Sequence, residues 1–309
     1  MLRQLTGDER TTYLRGIHPI WGGLLDEARF LAFQRRLAEA PEARGRYRML
    51  GWFEGSRLLS AFKQYDLQGT IAGRPLRIVG IGAVFTPPAL RRNGHAFAML
   101  RCAVEDARVS GADGALLFSD IDVRYYERLG FVPVESRESS VTGSQLPRPA
   151  GGFRPATAGD EPLLAEIFAA SRREEPRLHL LRDEWTVRFQ LRRLRELSRA
   201  RGVSEPEWGV VVGGRAGDGG AMVRFGRDSV DVLDAAWTTD AARDTLLGGL
   251  RDCMHRTGRP RLRFWPVAQL RGLFPAAERR SSIAMIARLS DAALPERGGA
   301  TELALLDHN

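Results

Sequence analysis

Cysteine, lysine and long apolar runs are all scarce in this chain. Its two cysteines, Cys102 and Cys253, lie in separate segments, which fits neither a disulfide framework nor a cysteine-based zinc site. No stretch approaches the roughly 18 consecutive apolar residues that a membrane-spanning helix needs, and residues 1–20 contain no apolar leader segment. These features predict a cytoplasmic, reducing location, no membrane partner and no bound metal.

Positive charge is plentiful, but arginine carries nearly all of it. Lys63 is the only lysine among 46 basic residues, and with 38 acidic residues the formal net charge is +8. The arginines are spread along both halves and form no run of five or more, so the charge does not indicate a dedicated nucleic-acid-binding arm. Such a surface would attract a polyphosphate ligand.

The length of 309 residues and the 43% hydrophobic content are those of a globular protein with about two domains. Proline and glycine cluster in residues 142–152 without a periodic apolar pattern, which is typical of a linker. We therefore predict a division near Gly151, into a domain of residues 1–150 and a domain of residues 151–309.

Helical and strand-like periodicities alternate in a similar order in the two halves. In the first half the pattern predicts helices at 24–40, 95–109 and 123–129, and strands at 47–53, 57–65, 76–85, 115–118 and from 131. In the second half it predicts helices at 160–171, 185–199, 239–256 and 267–273, and strands at 208–212, 220–225, 229–236, 261–265 and 282–289. This order predicts an α/β fold (mixed α+β), with a mixed sheet in each of two similar domains.

The most informative segment is residues 81–96, which reads IGAVFTPPALRRNGHA. An apolar strand, a short loop containing Arg91, Arg92 and Gly94, and an amphipathic helix follow one another directly. The first amides of a helix lack intrahelical partners and lie at the positive end of its dipole, so they can bind a pyrophosphate. Gly94 allows close approach, and the arginines supply charge-assisted contacts. The alternative is an ordinary surface loop in an arginine-rich chain.

Two motifs in the first half resemble those of the GNAT superfamily of N-acetyltransferases. Arg91-x-x-Gly94-x-Ala96 is similar to the R/Q-x-x-G-x-G/A acetyl-CoA loop, and residues 125–131, YYERLGF, are similar to the F/Y-Y-x-R/K-x-G-F motif that closes the same fold. The resemblance implies two tandem GNAT-like domains, each with a mostly antiparallel mixed sheet flanked by helices. It also implies direct acetyl transfer from acetyl-CoA to a primary amine of a small molecule or peptide, in a ternary complex.

The resemblance further implies roles for individual residues. Backbone groups of Ala83, Val84 and Phe85 would hold the pantetheine arm and the thioester oxygen. Tyr126 matches the general acid that protonates the departing thiolate, whereas Tyr125 is expected to face the core. The remaining cofactor contacts fall on the loop and the start of the helix: Arg91, Arg92, Asn93, Gly94, His95 and Ala96.

The sequence does not single out a general base. Glu54, Asp66 and Asp120 lie near the ends of predicted strands, and His18 lies in what reads as an early loop. Each of them is also typical of a turn, a helix cap or a solvated charge. We put Glu54 forward as the candidate base.

The second half lacks both motifs. After its strand 229–236 comes AWTTDAARD, in which Asp240 at the helix start would repel a phosphate and Thr239 or Asp240 is predicted as the N-cap. This arrangement resembles two-domain bacterial acetyltransferases of the enhanced-intracellular-survival type and their relatives, in which an active N-terminal GNAT domain precedes a degenerate one. Two alternatives stay open: a non-catalytic acyl-CoA sensor or scaffold, and an arginine-rich nucleic-acid-binding protein. Nothing in the sequence distinguishes a monomer from a homodimer.

Overall fold

The computed structural model describes residues 1–149, 151–170, 177–203, 208–211, 218–266 and 270–303. The helices in these ranges are α1 (Gly7–Trp21), α2 (Glu27–Glu39), α3 (His95–Val109), α4 (Arg124–Glu127), α5 (Glu161–Ala170), α6 (Glu184–Arg201) and α7 (Asp240–Arg256). The first eight strands are β1 (Leu2–Gln4), β2 (Tyr47–Glu54), β3 (Arg57–Ile71), β4 (Arg74–Phe85), β5 (Gly114–Ser119), β6 (Phe131–Pro133), β7 (Arg137–Thr142) and β8 (Phe153–Pro155). The others are β9 (Leu178–Leu180), β10 (Trp208–Val211), β11 (Gly219–Phe225), β12 (Ser229–Trp237), β13 (Arg261–Phe264), β14 (Ala277–Glu278), β15 (Ile283–Arg288) and β16 (Thr301–Glu302).

The first sheet has the order β1-β2-β3-β4-β5-β15-β6, and β9 and β16 lie off this path. Strand β4 runs parallel to β5, whereas the other neighbours on the path are antiparallel. Helix α3 covers one face of this sheet, because its apolar positions recur at helical spacing. Its buried residues are Met99, Leu100, Ala103, Val104 and Ala107. They share one core with Phe62, Leu117, Tyr126, Phe131 and Met285.

The second sheet repeats this arrangement in the order β14-β7-β13-β12-β11-β10-β8. Its single parallel pair is β12 with β13, and the described part of α7 packs on it as α3 packs on the first sheet. The main path of each sheet therefore has seven strands. Followed from β1 in the first sheet and from β8 in the second, parallel and antiparallel pairs occur in the same order. The predicted pair of mixed, mostly antiparallel sheets flanked by helices is confirmed.

The two compact units do not coincide with residues 1–150 and 151–309. The first unit is built mainly from Met1–Glu135 and Arg280–Thr301, and the second mainly from the described residues between 136 and 279. The division differs because β7 leaves the first half to join the second sheet, and β15 returns from the end of the chain to lie between β5 and β6. Local periodicity shows that a strand forms, but it does not show which sheet the strand joins.

Most predicted elements form within a few residues of their expected bounds, and helix 95–109 is confirmed in full. Helix α1 was not predicted, and His18 belongs to it rather than to a loop. Its start carries a capping-box sequence, Thr6-x-x-Glu9, in which Glu9 accepts a hydrogen bond from the Thr6 amide (3.1 Å). Of the predicted helix 267–273, the first three residues lie outside the described ranges and the rest form a turn; Val212 also lies outside them. None of the described helices is long and apolar enough to cross a membrane.

Candidate functional site

Strands β4 and β5 separate towards their carboxyl ends. Their parallel register begins at Ile78 opposite Gly114 and ends at Ile81 opposite Leu117. Residues 82–85 of β4 therefore have no register partner on β5. A gap results between the carboxyl ends of two neighbouring parallel strands.

Strand β4 carries a β-bulge at this gap. Gly82 lies opposite Lys63 and Phe85 lies opposite Ala61, so two residues of β4 face a single residue of β3. One of the two, Ala83, has a φ of 48°, a left-handed conformation that side chains rarely adopt. Bulges bend a strand and increase its twist, which explains why β4 diverges from β5 here. The structure thus places Ala83, Val84 and Phe85 together at the gap.

Three side chains hold carbonyl groups at this end of β4. Tyr13 on α1 and Ser60 on β3 donate through hydroxyl groups, and Arg91 donates from the loop that follows β4. The hydrogen bonds are Tyr13 Oη to Ala83 O (2.6 Å), Ser60 Oγ to Phe85 O (2.8 Å) and Arg91 Nε to Thr86 O (3.1 Å). Sequence reasoning missed Tyr13 and Ser60, because their partners are set by packing and not by a local motif.

The loop after β4 leads directly into the amino terminus of α3. Residues 91–94 are exposed, and the guanidinium of Arg92 contacts no partner among the described residues. Gly94 is the N-cap of α3 with a φ of 76°, and no side chain caps the helix there. The amides of His95 and Ala96 therefore have no intrahelical acceptor. With Asn93, the residues predicted from the first motif form the exposed loop and the start of α3.

The chemistry of this arrangement suits a phosphate-bearing thioester. Uncapped helix amides and exposed arginines favour a pyrophosphate. The end of β4 has no register partner on β5, so its main chain can line an extended arm on that side. Among the described residues, no group of three or more His, Cys, Asp or Glu side chains is placed to hold a metal ion.

Tyr126 lies on α4, where its side chain is 8% exposed. Its ring packs edge-on against Tyr125 and Phe131, with centroids 5.0 and 6.2 Å apart. Burial, with smaller contributions from Tyr125 and Asp120, raises the pKa of Tyr126 to about 12. Contrary to expectation, Tyr126 is more buried than Tyr125, which contacts Phe97 at the start of α3 (6.4 Å between centroids).

The predicted base Glu54 lies away from the gap. It is the exposed last residue of β2, opposite Arg57 at the start of β3. Strands β3 and β4 separate it from the gap, and neighbouring strands are about 4.8 Å apart. A general base acts within roughly 2.6–3.2 Å of the proton or through one water. This placement does not favour Glu54 as the base.

Two other candidates are already engaged elsewhere. His18 Nε2 lies 2.8 Å from the carbonyl oxygen of Leu25. Because a carbonyl oxygen only accepts hydrogen bonds, Nε2 is the donor in this contact. Asp66 accepts from Arg48 at 2.9 Å in the middle of β3. Neither arrangement directs the side chain to the gap.

Asp120 is the candidate that lies beside the gap. It directly follows β5 at the end where this strand leaves β4. Its carboxylate accepts hydrogen bonds from the amide (2.9 Å) and the hydroxyl (3.0 Å) of Ser282, just before β15. It is also one of the groups that raise the pKa of Tyr126. The two hydrogen bonds from Ser282 therefore help to position this carboxylate at the end of β5.

The corresponding backbone of the second unit is occupied by a side chain. The parallel pairing of β12 with β13 ends after four pairs, as that of β4 with β5 does. Counting from the last pair, Asp234 and Ala235 correspond to Ala83 and Val84. Asp234 Oδ1 accepts a hydrogen bond from the Ala235 amide (2.9 Å), and Oδ2 accepts one from the buried Arg182.

The amino terminus of α7 is capped, unlike that of α3. Thr239 is the N-cap, as the sequence predicted, and its hydroxyl accepts from the Ala242 amide (3.1 Å). Asp240 pairs with Arg243 in the first turn (3.0 Å). The capping side chain and the carboxylate occupy the place that a phosphate takes at an uncapped helix.

Comparisons with known proteins agree with this fold. Residues 20–134 match the family model for the acetyltransferase (GNAT) domain. No curated protein matches the chain. The matched range contains both motifs, so residues 20–134 are similar to a GNAT acetyltransferase domain, as the motifs indicated.

Several solved structures are similar over most of the chain. A GCN5-related N-acetyltransferase from Kribbella flavida is 19% identical with a TM-score of 0.67, over 93% of this chain and 70% of that one. Eis1 from Mycobacterium abscessus is 18% identical with a TM-score of 0.55, over 94% and 73%. A tandem GNAT protein from the clavulanic acid biosynthesis pathway is 12% identical with a TM-score of 0.50, over 94% and 99%. At these identities the likeness establishes the tandem GNAT-like fold.

Proposed function

We propose that the protein is an N-acetyltransferase that moves the acetyl group of acetyl-CoA to a primary amine in a ternary complex. One observation carries this proposal: the bulged end of β4, which has no register partner on β5, runs directly into an exposed arginine loop and the uncapped start of α3. The acceptor is an amine of a small molecule or a peptide. Nucleic acid and membrane are not partners in this proposal.

In this proposal the loop and the end of β4 bind different parts of acetyl-CoA. Arg91, Arg92 and Asn93 would lie along the pyrophosphate, and the amides from Gly94 onward would donate to its oxygens, because α3 has no side-chain cap. The main chain of residues 83–85 would line the pantetheine arm, because these residues have no register partner on β5.

Acetyl transfer requires stabilisation of negative charge first on the carbonyl oxygen and then on the departing sulfur. The neutral amine attacks the thioester carbon, which forms a C–N bond and places negative charge on the carbonyl oxygen. A backbone amide of the bulge would donate to that oxygen. The C–S bond then breaks, the nitrogen loses a proton, and the departing sulfur takes one.

Tyr126 is the proposed acid for the sulfur. Its pKa of about 12 keeps the phenol protonated at neutral pH. Full transfer to a thiolate of ordinary pKa, ~8.5, would be uphill by roughly 5 kcal/mol. The phenol therefore works best as a relay: it donates to the sulfur while it recovers the proton that the nitrogen loses, so that no phenolate accumulates.

We propose Asp120, rather than Glu54, as the base that takes the proton from the acceptor ammonium before attack, directly or through water, while the proton lost after attack passes to Tyr126. It lies at the gap and within electrostatic reach of Tyr126. Asp120→Asn should lower turnover and leave acetyl-CoA affinity nearly unchanged, whereas Glu54→Gln should not lower turnover. A turnover loss confined to Glu54→Gln would assign the role to Glu54.

The second unit is proposed to be a degenerate GNAT-like domain that binds no acetyl-CoA. Its backbone amide at Ala235 is taken by Asp234, and its helix start is capped by Thr239. The cytoplasmic location is also part of the proposal; it accords with Cys102 and Cys253 both being free thiols.

The proposal is tested by incubating the full chain with acetyl-CoA and a panel of primary amines and short peptides. Release of CoA thiol, read with a thiol reagent, should require both the amine and the protein. If acetyl-CoA binds and no amine or peptide accelerates thiol release, the protein is a sensor or scaffold instead. If acetyl-CoA does not bind, both this function and the cofactor site are wrong.

A further inference from the structure

Helix α1 contacts the bulged end of β4 at two points. Tyr13 is 1% exposed, and its hydroxyl donates to the carbonyl oxygen of Ala83 at 2.6 Å. One turn later, Gly16 lies against Phe85: a Cβ added to Gly16 would stand 2.4 Å from Cε1 of that ring. Glycine is therefore what allows α1 to approach this closely. The same face of α1 contacts the residues on both sides of Val84.

The hydrogen bond of Tyr13 fixes the direction of a neighbouring amide. In a planar trans peptide the carbonyl of one residue and the N–H of the next point in opposite directions. Because the Ala83 carbonyl points to Tyr13 on α1, the N–H of Val84 points away from α1.

A regular strand would orient this peptide through hydrogen bonds to both neighbours. Here neither Ala83 nor Val84 has a register partner on β5, and the two face a single residue on β3. Ala83 also holds a φ of 48°. Backbone in a rare conformation persists only where its surroundings impose it, and such outliers cluster at functional sites. Tyr13 supplies a constraint at the place where the ladder is interrupted.

We propose that Tyr13 is a positioning residue for acetyl transfer: by holding the Ala83 carbonyl, it aims the Val84 N–H at the thioester oxygen. The proposal rests on the proposed function and adds to it a residue that touches neither cofactor nor acceptor. Burial holds the pKa of Tyr13 well above its usual range, so the hydroxyl remains a donor at working pH. In the second unit the corresponding amide is taken by Asp234.

The test compares acetyl-CoA with S-ethyl-CoA, a thioether that lacks only the carbonyl oxygen, by calorimetric titration into the full chain. In the native protein acetyl-CoA should bind about fivefold more tightly than S-ethyl-CoA, the contribution of one hydrogen bond. Tyr13→Phe should bring this ratio close to one and leave S-ethyl-CoA affinity unchanged. General loosening of the fold would weaken both ligands equally, so the ratio separates positioning from a structural role.

Tyr47→Phe is the matched control. Tyr47 is also a buried tyrosine (6% exposed), but it lies on β2, two strands from β4. Its variant should keep the native ratio. An unchanged ratio in Tyr13→Phe, or an equal loss in Tyr47→Phe, would overturn the proposal.

Amide spectra of the native chain provide a second test if Tyr13→Phe does not fold. The Val84 amide proton should move downfield with acetyl-CoA relative to S-ethyl-CoA, because only the thioester accepts a hydrogen bond from it. Identical shifts would overturn the role of this amide. If neither ligand binds the native chain, the proposed function itself fails, an outcome distinct from two ligands that bind equally well.

Discussion

Asp234 Oδ1 accepts a hydrogen bond from the backbone amide of Ala235 at 2.9 Å, at the position on β12 that corresponds to Val84 on β4. The two sheets have the same strand order, so this difference lies in side chains and not in topology. A thioester oxyanion could not accept a hydrogen bond from an amide that already donates to this carboxylate. Its buried partner Arg182 neutralises the charge and holds it in place. The same fold therefore places an acidic side chain on this amide in the second unit, whereas the residue before Val84 in the first unit is an alanine.

The first prediction concerns the cofactor loop. Gly94→Arg should weaken acetyl-CoA binding by at least about tenfold, because the added side chain extends from the N-cap of α3 into the place proposed for the pyrophosphate. The position has room for a side chain, since a Cβ on Gly94 would meet nothing within 4 Å. The variant should therefore fold. Calorimetry with acetyl-CoA and a thermal melt measure the two quantities.

Gly73→Arg is the matched control for this substitution. Gly73 has the same φ of 76° and the same free space, but it lies in the turn between β3 and β4. Both variants introduce the same backbone strain and the same added charge. Native affinity in Gly94→Arg, or an equal loss in Gly73→Arg, would contradict the assignment of the loop.

The second prediction concerns the acid. Tyr126→Phe should lower turnover about 100-fold and leave acetyl-CoA affinity nearly unchanged, because general acid catalysis typically contributes that much. Tyr125→Phe is the control, since it removes a neighbouring hydroxyl and keeps the ring contacts. Steady-state rates at saturating acetyl-CoA measure the effect. Unchanged turnover in Tyr126→Phe would assign the acid to another group.

A third prediction follows from the pKa of Tyr126, about 12. A raised pKa keeps the proton on the phenol as pH rises, so the acid is retained from pH 7 to 10. Over that range the rate should rise, because more of the acceptor ammonium, with an ordinary pKa of ~10.4, becomes the reactive amine. The pH profile of the native chain tests this. A decline in rate centred near pH 10, absent in Tyr126→Phe, would contradict it.

The fourth prediction tests the exchanged strand. A fragment of residues 1–150 lacks β15, which lies between β5 and β6 and buries Met285 and Ala287 in the first core. Without β15, the facing edges of β5 and β6 lose their hydrogen-bonding partner. The fragment should show no cooperative unfolding and should not bind acetyl-CoA, as measured by circular dichroism and calorimetry.

A fusion of residues 1–135 to residues 280–301 through a short turn is the positive control. The end of β6 lies next to the start of β15, with the Val134 amide bonded to the Ala284 carbonyl (2.9 Å), so a hairpin can join them. This fusion should fold and bind acetyl-CoA. Cooperative folding and binding by residues 1–150 alone would contradict the need for β15.

The sequence predicted the local structure of residues 91–109 well. The loop at residues 91–96 and the helix that follows are specified by neighbouring residues, because glycine, arginines and amphipathic spacing act over a few positions. Helix α3 begins at His95 and ends at Val109, as predicted. The N-cap of α7 at Thr239 was predictable for the same reason.

The parts that depend on distant contacts were not predictable. The periodicity of residues 282–289 predicted a strand but not its place between β5 and β6, and β7 was not predicted as a separate strand. The predicted boundary near Gly151 therefore differs from the two units. Tyr13 reaches Ala83 only because α1 packs on β4, 70 residues away in the chain. The placement of Glu54 outside the gap and of Asp120 beside it likewise follows from strand order, which short motifs do not encode.

The most direct test of the account is a calorimetric titration of acetyl-CoA into the full chain, read for stoichiometry. One site per chain, weakened at least about tenfold by Gly94→Arg and retained when Asp234 is replaced by Asn, is the predicted result. Two sites would show that the second unit binds cofactor despite its occupied amide and capped helix. The absence of any binding would contradict the proposed acetyl-CoA site at the end of β4.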